Sequence, residues 1–263
     1  MRTDFERTYL TAHGNVAVLT FNHPEVMNAA SAKLVGGATE ALKAVERPDS
    51  GFRALVITGE GKGFCSGANL SDRGSGSAME PGESLQTIFH PFLRRLRDLR
   101  MPIITAVNGA AAGVGMSIAL MGDIILAAKS AYFLQAFARI GLVPDGGSTW
   151  MLPRLVGLAR ARELSMLAEK LPAETALQWG LINRVYDDGA LMDEALKLAQ
   201  RLADGPTTAL TLTRQLYEAS PHNSFEEQID LESKFQSQAG RSADFWEGVQ
   251  AFLQKRPAKF TGK

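Results

Sequence analysis

Two glycine-rich turns, each directly after an apolar run, constrain this chain more than any other feature. The first run, 54–58 (ALVIT), leads into 61–70 (GKGFCSGANL). The second run, 103–107 (IITAV), leads into 108–115 (NGAAAGVG). Small residues after a strand let backbone N–H groups approach a ligand closely. If the two turns face each other, their amides can surround a carbonyl oxygen as negative charge develops on it, which is the arrangement of an oxyanion hole.

The apolar pattern predicts an α/β fold. Strands are predicted at 15–21, 54–58, 103–107 and 124–127. A helix is predicted over 31–45, with Asn28 or Ser31 as its N-cap. The strands are continuous apolar runs that alternate with helices, as in a buried parallel sheet. The turns recur after strands roughly 50 residues apart, which favours a coiled stack of repeats over a Rossmann sheet.

Helices dominate the second half of the chain. A basic helix is predicted over 84–98 after a loop at 71–82 that we expect to be mobile. Further helices are predicted at 160–169, 173–179, 189–203, 206–218, 224–238 and 242–255. Without a partner such helices would expose their apolar faces, so we expect them to cover a site or to contact a second subunit.

Composition excludes several classes of protein. Lysine plus arginine and aspartate plus glutamate balance at 28 each, so no overall field attracts nucleic acid or an anionic membrane. The single cysteine excludes an internal disulfide and favours a reducing compartment. The first residues, MRTDFER, lack the apolar core of a signal peptide, and no apolar run reaches membrane-spanning length. We therefore expect a cytoplasmic protein, and the dispersed histidines predict no metal site.

Two known motifs, the phosphate-binding P-loop and the nucleophile elbow of serine hydrolases, are matched only in part. A phosphate-binding P-loop needs serine or threonine after its lysine, whereas Gly63 follows Lys62. Ser117 lies in a degenerate nucleophile elbow, GMSIA, but the only later histidine is His222 in a polar turn. A nucleotide-binding loop and a serine hydrolase are both disfavoured.

Asp145 is the acid that stands out. It lies between Pro144 and two glycines, in an apolar setting. Burial of an acid favours its protonated form, which suits a group that moves protons near neutral pH. The alternative is a structural role, in which Asp145 caps the helix that begins near Ser148. The residues alone leave both interpretations open.

Taken together, three ordered segments resemble the crotonase superfamily, the enoyl-CoA hydratases and isomerases. They are FCSGANL at 64–70, NGAAAG at 108–113 and GLVPDGG at 141–147. The resemblance extends over essentially the whole chain. It implies a spiral of ββα repeats over 1–200 and a C-terminal helical trimerisation region over 201–263. It also implies trimers that often pair into hexamers.

The resemblance implies an acyl-CoA substrate whose thioester carbonyl is held by two backbone amides. These donors fall on Ala68 and on Val114, where the family usually has glycine; the valine side chain is expected to narrow the pocket or shift the substrate. CoA is part of the substrate, so no separate cofactor is expected. The positions expected to contact the substrate are Ala29, Gly67, Leu70, Gly113, Phe137, Phe235 and Lys255. The last two imply contact with CoA bound to a neighbouring subunit.

The carboxylates decide the subfamily. Hydratases of this family use two glutamates, and the matching positions here hold Ser117 and Phe137, neither of which is a base near neutral pH. Asp145 matches the single acid of isomerase members, including those that act on the ring epoxide of phenylacetyl-CoA. The resemblance therefore implies an isomerase that shifts a double bond or opens a ring epoxide.

Three alternatives remain. An aryl-CoA dehalogenase would pair Asp145 with His90, although that subfamily has tryptophan where this chain has Phe137. Residual hydratase or lyase activity is the second alternative. The third is a non-catalytic relative that binds acyl-CoA or RNA, and the balanced charge and retained acid speak against the RNA version.

Overall fold

The computed structural model describes residues 1–70 and 80–263. Its strands are β1 (Arg2–Phe5), β2 (Thr8–His13), β3 (Val16–Phe21), β4 (Ala54–Gly59), β5 (Gly63–Cys65), β6 (Ile103–Val107), β7 (Ala110–Ala112), β8 (Ile124–Ala128), β9 (Tyr132–Leu134), β10 (Leu171–Pro172) and β11 (Arg184–Tyr186). Its helices are α1 (Ala32–Val45), α2 (Pro81–Ser84), α3 (His90–Asp98), α4 (Val114–Ala119), α5 (Ser148–Leu167), α6 (Ala173–Gln178), α7 (Leu191–Ala203), α8 (Thr207–Ala219), α9 (Phe225–Ala239) and α10 (Ala243–Leu253). A π-helical segment, Leu85–Phe89, joins α2 to α3.

Two sheets form the core of the described chain. One has seven strands in the order β1-β2-β3-β4-β6-β8-β11, antiparallel from β1 to β3 and parallel from β3 to β11. The other has four strands in the order β10-β9-β7-β5, with β5, β7 and β9 parallel. From β4 to β9, successive strands thus alternate between the two sheets, as in a spiral of repeats.

The apolar strands are buried on both faces, as their sequences predict. Every residue of β3 and β6 is buried, and α1 packs against β2 and β3 through its apolar stripe. Phe21 and Phe64 meet edge to face, with ring centroids 5.6 Å apart, and so join the large sheet to β5. Continuous burial explains why these strands show no polar alternation.

The last helices are held to the core by polar side chains. Arg53, directly before β4, donates hydrogen bonds to Thr207 Oγ1 and to the carbonyl oxygens of Gly205 and Phe260. Buried Asp244 at the start of α10 accepts from the backbone amides of Thr261 and Gly262. We call this set of contacts the tail clasp, because residues 257–263 fold back along α10.

The predictions of secondary structure are largely confirmed. The four strands and the helix over 31–45 are present, and Ser31 caps that helix through Leu34 N at 3.1 Å. The helix predicted at 160–169 is the second half of the longer α5, which kinks at Gly157. Residues 71–79 of the loop predicted at 71–82 lie outside the described residues. Its last part is wrong, because α2 begins at Pro81.

Candidate active site

The two glycine-rich turns lie side by side. Each follows a strand of the larger sheet, β4 or β6, and contains a strand of the smaller sheet; these two short strands, β5 and β7, pair in parallel with Cys65 opposite Ala111. The turns then meet, since a Cβ atom added to Gly113 would lie 3.7 Å from the Cα of Gly67. Gly67 has φ 108°, a conformation that L side chains rarely adopt. The turns predicted to face each other therefore do so.

Two asparagines fix the first turn. The Asn28 amide group donates to the carbonyl oxygens of Glu60 and Gly63 at 3.0 and 2.7 Å. Asn108 donates to Gly61 O at 2.9 Å and accepts from Gly59 N at 3.2 Å. These side chains replace the ladder partners that the turn lacks. Asn28 is not a helix cap; its left-handed φ of 57° and complete burial mark it as part of the turn.

Two backbone amides are available at the junction of the turns. Ala30 N donates to Gly67 O at 2.7 Å and Asn69 N donates to Ala30 O at 3.0 Å, so the Ala68 N–H stays outside this pairing. Val114 is the first residue of α4, where an N–H has no intrahelical acceptor. Within residues 1–70 and 80–263 neither amide donates to a backbone carbonyl. Both can therefore serve a ligand.

The side chain of Val114 packs towards the turn that carries Asp145. Val114 is buried, and its Cγ2 would lie 3.4 Å from a Cβ atom added to Gly146. The isopropyl group thus fills space between α4 and this turn.

The Asp145 turn is anchored through its main chain. The Asp145 carbonyl oxygen accepts from Ser117 Oγ and Ser148 Oγ, both at 2.9 Å, and from Ser148 N at 3.1 Å. The carboxyl group is half-buried, with Oδ1 shielded from solvent. Gly147, and not Asp145, occupies the N-cap position of α5, so Asp145 is not the N-cap residue of this helix.

The hydroxyl and thiol near the site are poor nucleophiles. Ser117 is fully buried and its hydroxyl is committed to Asp145 O. Burial raises the pKa of the Cys65 thiol to about 11, so it stays protonated near neutral pH. The Phe137 ring is buried at the junction, its Cζ 3.8 Å from a Cβ atom added to Gly113. An apolar ring thus lies beside the turns, at the position where the resemblance implied the second glutamate of a hydratase.

A cavity of about 770 Å³ opens next to the Asp145 turn. Gly146 and Gly147 line it from one side and His90, the first residue of α3, from another. Trp150 forms part of the wall, with the Arg154 guanidinium 4.2 Å from its ring centroid. His90 is half-buried there, so it is neither a capping residue nor fully on the surface.

The remaining predicted substrate contacts fall into two groups. Ala29 adjoins the Ala30–Ala68 bridge, and Leu70 follows the first turn with an exposed side chain, so both lie beside the oxyanion-hole candidates. Phe235 lies on α9, and Lys255 follows α10 with φ 53°. No hydrogen bond or ion pair in the described chain joins either of these to the turns.

Reasoning from sequence missed the serines that hold the Asp145 turn. Ser148 was visible only as the start of a helix, and Ser117 only as a failed nucleophile and as the residue at a hydratase glutamate position. The signal that could have found them is a small hydroxyl residue in the buried helix after the second turn, next to two glycines that allow close approach. Across the described part of the chain no cluster of three metal-ligating side chains occurs, and no helix is long and apolar enough to cross a membrane.

Comparison with known proteins gives consistent results. The family model for enoyl-CoA hydratase/isomerase matches residues 11–263. The chain is 47% identical over 251 residues to the 1,2-epoxyphenylacetyl-CoA isomerase of Escherichia coli (strain K12), covering 94% of this chain and 95% of the relative. It is 44% identical over 248 residues to a probable enoyl-CoA hydratase of Rhodobacter capsulatus, covering 94% and 95%. A crystal structure of an enoyl-CoA hydratase subunit from Geobacillus kaustophilus matches with a TM-score of 0.92 and 32% identity, covering 99% of this chain and 100% of that one. These results confirm the predicted fold and the resemblance.

Proposed function

This chain belongs to the enoyl-CoA hydratase/isomerase family, and from that premise we propose that it isomerises CoA thioesters through an enolate. The observation that carries the proposal is a single acid, Asp145, on a turn that is hydrogen-bonded to the helix of Val114. The two glutamate positions of the hydratases hold a buried serine and a buried phenylalanine. The similarity to an isomerase over 94% of the chain supports the same reaction class.

The amides of Ala68 and Val114 form the proposed oxyanion hole. Both would donate to the thioester oxygen, whose negative charge grows as the enolate forms. Fixed donors in a site that excludes water stabilise such a charge strongly, because they need no reorganisation during the reaction. Negative charge thus passes from the Asp145 carboxylate, which becomes neutral as it takes the proton, to an oxygen that fixed donors hold.

Asp145 is the proposed acid and base. Its carboxylate removes a proton from the α-carbon of a 3-enoyl thioester, and the electrons pass to the thioester oxygen. The resulting carboxylic acid returns that proton to the γ-carbon, leaving the double bond between the α- and β-carbons. No water enters and the proton count is unchanged, so one carboxyl group suffices.

Hydration is the disfavoured alternative. Adding water needs a group that activates it, and Phe137 and Ser117 occupy the places from which glutamates would act. Ser117 is further occupied as a donor to Asp145 O. The relative named as a probable enoyl-CoA hydratase keeps this alternative open to test.

We propose that the acyl group extends towards the cavity beside Gly146. This cavity of about 770 Å³ is within the range of ligand pockets, and Gly146 and Gly147, the two residues after Asp145, line it. The E. coli relative, by its name, isomerises 1,2-epoxyphenylacetyl-CoA. A ring epoxide next to the thioester is therefore the second substrate class proposed. As the enolate electrons form a double bond to the ring carbon, the C–O bond at that carbon breaks, and the freed oxygen takes the proton that Asp145 holds.

The CoA end is proposed to be held by backbone near Ala29 and Leu70 and by Phe235 and Lys255 of a neighbouring subunit. The C-terminal helices expose large apolar side chains, among them Tyr217 at 78%, Trp246 at 61% and Phe252 at 83%. Such a surface favours association. We propose a homotrimer or a dimer of trimers, without a separate cofactor and located in the cytoplasm. Sedimentation as a monomer at micromolar concentration would contradict this assembly.

Asp145→Asn tests the function. The amide keeps the shape but cannot accept the proton, so kcat for conversion of 3-enoyl- to 2-enoyl-CoA should fall on the order of 10²- to 10⁴-fold. The Kd for the thioester should stay near that of the unchanged protein. The exposed Asp230→Asn serves as the matched control and should retain full turnover.

Other outcomes favour the alternatives. An unchanged protein that binds acyl-CoA tightly without turnover would support the non-catalytic relative. Halide release from a halobenzoyl-CoA, lost on His90→Gln, would support the dehalogenase. Full turnover by Asp145→Asn would remove this residue from the mechanism.

A further inference from the structure

Ser117 connects two parts of the site that must stay in register. It lies on α4, whose first amide is the oxyanion-hole candidate, and its hydroxyl donates to the carbonyl oxygen of Asp145 at 2.9 Å. We propose that Ser117 is a positioning residue, a brace that sets the distance between the acid and the oxyanion hole. This inference rests on the function proposed above.

The brace is one of three donors to the same oxygen. Ser148 supplies the other two, Oγ at 2.9 Å and N at 3.1 Å. Ser148 is only three residues from Asp145, so its bonds shape the turn locally. Ser117 is 28 residues away and is the donor that ties the turn to α4. The second contact of its hydroxyl, 3.5 Å from Gly113 O, leads back to the residue before Val114.

Close packing leaves the brace little freedom to move. A Cβ atom added to Gly146 would lie 2.7 Å from Ser117 Cβ and 3.4 Å from Val114 Cγ2. Gly146 also has φ 61°, where a side chain would be strained. The Asp145 turn thus packs directly against Ser117 and Val114 of α4, so a displacement of the Ser117 hydroxyl would also displace Asp145.

The same contacts explain why serine stands at this position. A glutamate at 117 would have to carry three more heavy atoms out of a place where the side chain already touches Gly146. It would also remove the donor to Asp145 O. In this chain the absence of the hydratase glutamate and the presence of a positioned Asp145 are therefore two aspects of one arrangement.

Ser117→Ala tests the brace on the full chain. Loss of the hydroxyl should let the acid drift and lower kcat for 3-enoyl-CoA by about 10- to 100-fold, as for misplacement of a catalytic group by a fraction of an ångström to 1 Å. The KM should change by less than about threefold, because the brace does not touch the substrate. Acetoacetyl-CoA, which forms a stable enolate, probes the oxyanion hole independently of Asp145, and its Kd should stay unchanged.

Three comparisons make the test specific. Ser117→Cys keeps a side chain of similar shape, slightly larger than serine, but its thiol is a weak donor, so kcat should fall in this variant too even if the alanine variant folds poorly. Ser148→Ala should show a smaller fall, because the Ser148 amide still holds the turn. Ser165→Ala is the control: it removes a half-buried hydroxyl that donates to Ala161 O at 2.8 Å within α5, and it should keep full activity.

Wild-type kcat in both Ser117 variants would overturn the brace, whatever the result for Asp145→Asn. An equal loss in Ser148→Ala would overturn it too, because the link to α4 would then not matter. Loss of acetoacetyl-CoA binding together with kcat in both Ser117 variants would show that Ser117 supports only the fold. If Asp145→Asn is fully active, the proposed function fails separately.

Discussion

The paired turns and the C-terminal helices are held in opposite ways. The turns are joined by closely packed, buried main chain and by short side chains such as Asn28 and Ser117. The C-terminal helices are held by charged side chains, Arg53 and Asp244 among them, that bond to the backbone of the tail. One region is complete within a single chain, whereas the other leaves aromatic side chains such as Phe252 exposed.

This difference separates the chemistry from the assembly. A site that stabilises an enolate needs donors fixed to within a fraction of an ångström, and close-packed backbone provides that. The C-terminal region, for which we propose contacts with another subunit and with the far end of CoA, needs a defined orientation but tolerates small movements. Substitutions can disturb one region and leave the other intact.

The same glycine-to-alanine change should have opposite results in the two regions, and this is the largest effect expected. A Cβ atom on Gly115 would overlap the carbonyl oxygen of Cys65 and lie 2.8 Å from Cys65 Cβ. Gly115→Ala should lower the free energy of unfolding by about 3 kcal/mol and abolish turnover, because α4 must move away from the first turn. Thermal unfolding and kcat measure both.

Gly248→Ala on α10 is the matched control. Its Cβ atom would lie 3.4 Å from the Phe260 ring, an ordinary contact, and alanine favours a helix over glycine by about 0.5–1 kcal/mol. We expect unchanged turnover and equal or slightly higher stability. Comparable damage from both substitutions would show that the turns are no more tightly packed than the tail.

The sequence predicted the parts of the fold that local patterns encode. Apolar runs such as Ile103–Val107 were identified as strands because burial on both faces leaves a continuous signal. The three-residue strands β5, β7 and β9 were missed, since such short runs have no period. They form the smaller sheet only because long-range pairing brings them together.

The site divides along the same line. Ala68 and Val114 were predicted from the resemblance of the motifs in which they lie, and Asp145 from its place between Pro144 and two glycines. The brace from Ser117 to Asp145 spans 28 residues, and nothing local marks a serine as its donor. The tail clasp, in which Arg53 meets Phe260 across 207 residues, was missed for the same reason.

Asp244→Ala should release the tail clasp without harming the site. The carboxylate accepts from Thr261 N at 2.6 Å and from Gly262 N at 2.8 Å, and it is 2% exposed. Two amides would lose their acceptor, at a cost of about 1–3 kcal/mol. Hydrogen exchange over 257–263 should accelerate while exchange at Val114 and kcat at saturating substrate stay unchanged. The control Asp230→Ala, on the exposed side of α9, should change neither the exchange over 257–263 nor kcat. A fall in kcat with Asp244→Ala would mean that the two regions are not independent.

The smallest effect expected is a pH dependence of the tail. The Glu247 carboxylate accepts two hydrogen bonds from the Arg256 guanidinium and one from Lys259 N at 2.7 Å. These bonds lower the pKa of Glu247 to about 2, and those from Arg256 contribute most. Because the pKa is lower in the folded state than its usual value near 4.5, the stabilisation is complete above that value and is lost as the pH falls towards 2. Glu247→Gln removes the titration, so the difference in stability between the two proteins should shrink over this range. The measurement is amide hydrogen exchange at Lys259, followed in the unchanged protein and in Glu247→Gln from pH 6 to 2.5. If the difference in protection between the two proteins stays constant over this range, Glu247 does not hold the tail through its charge.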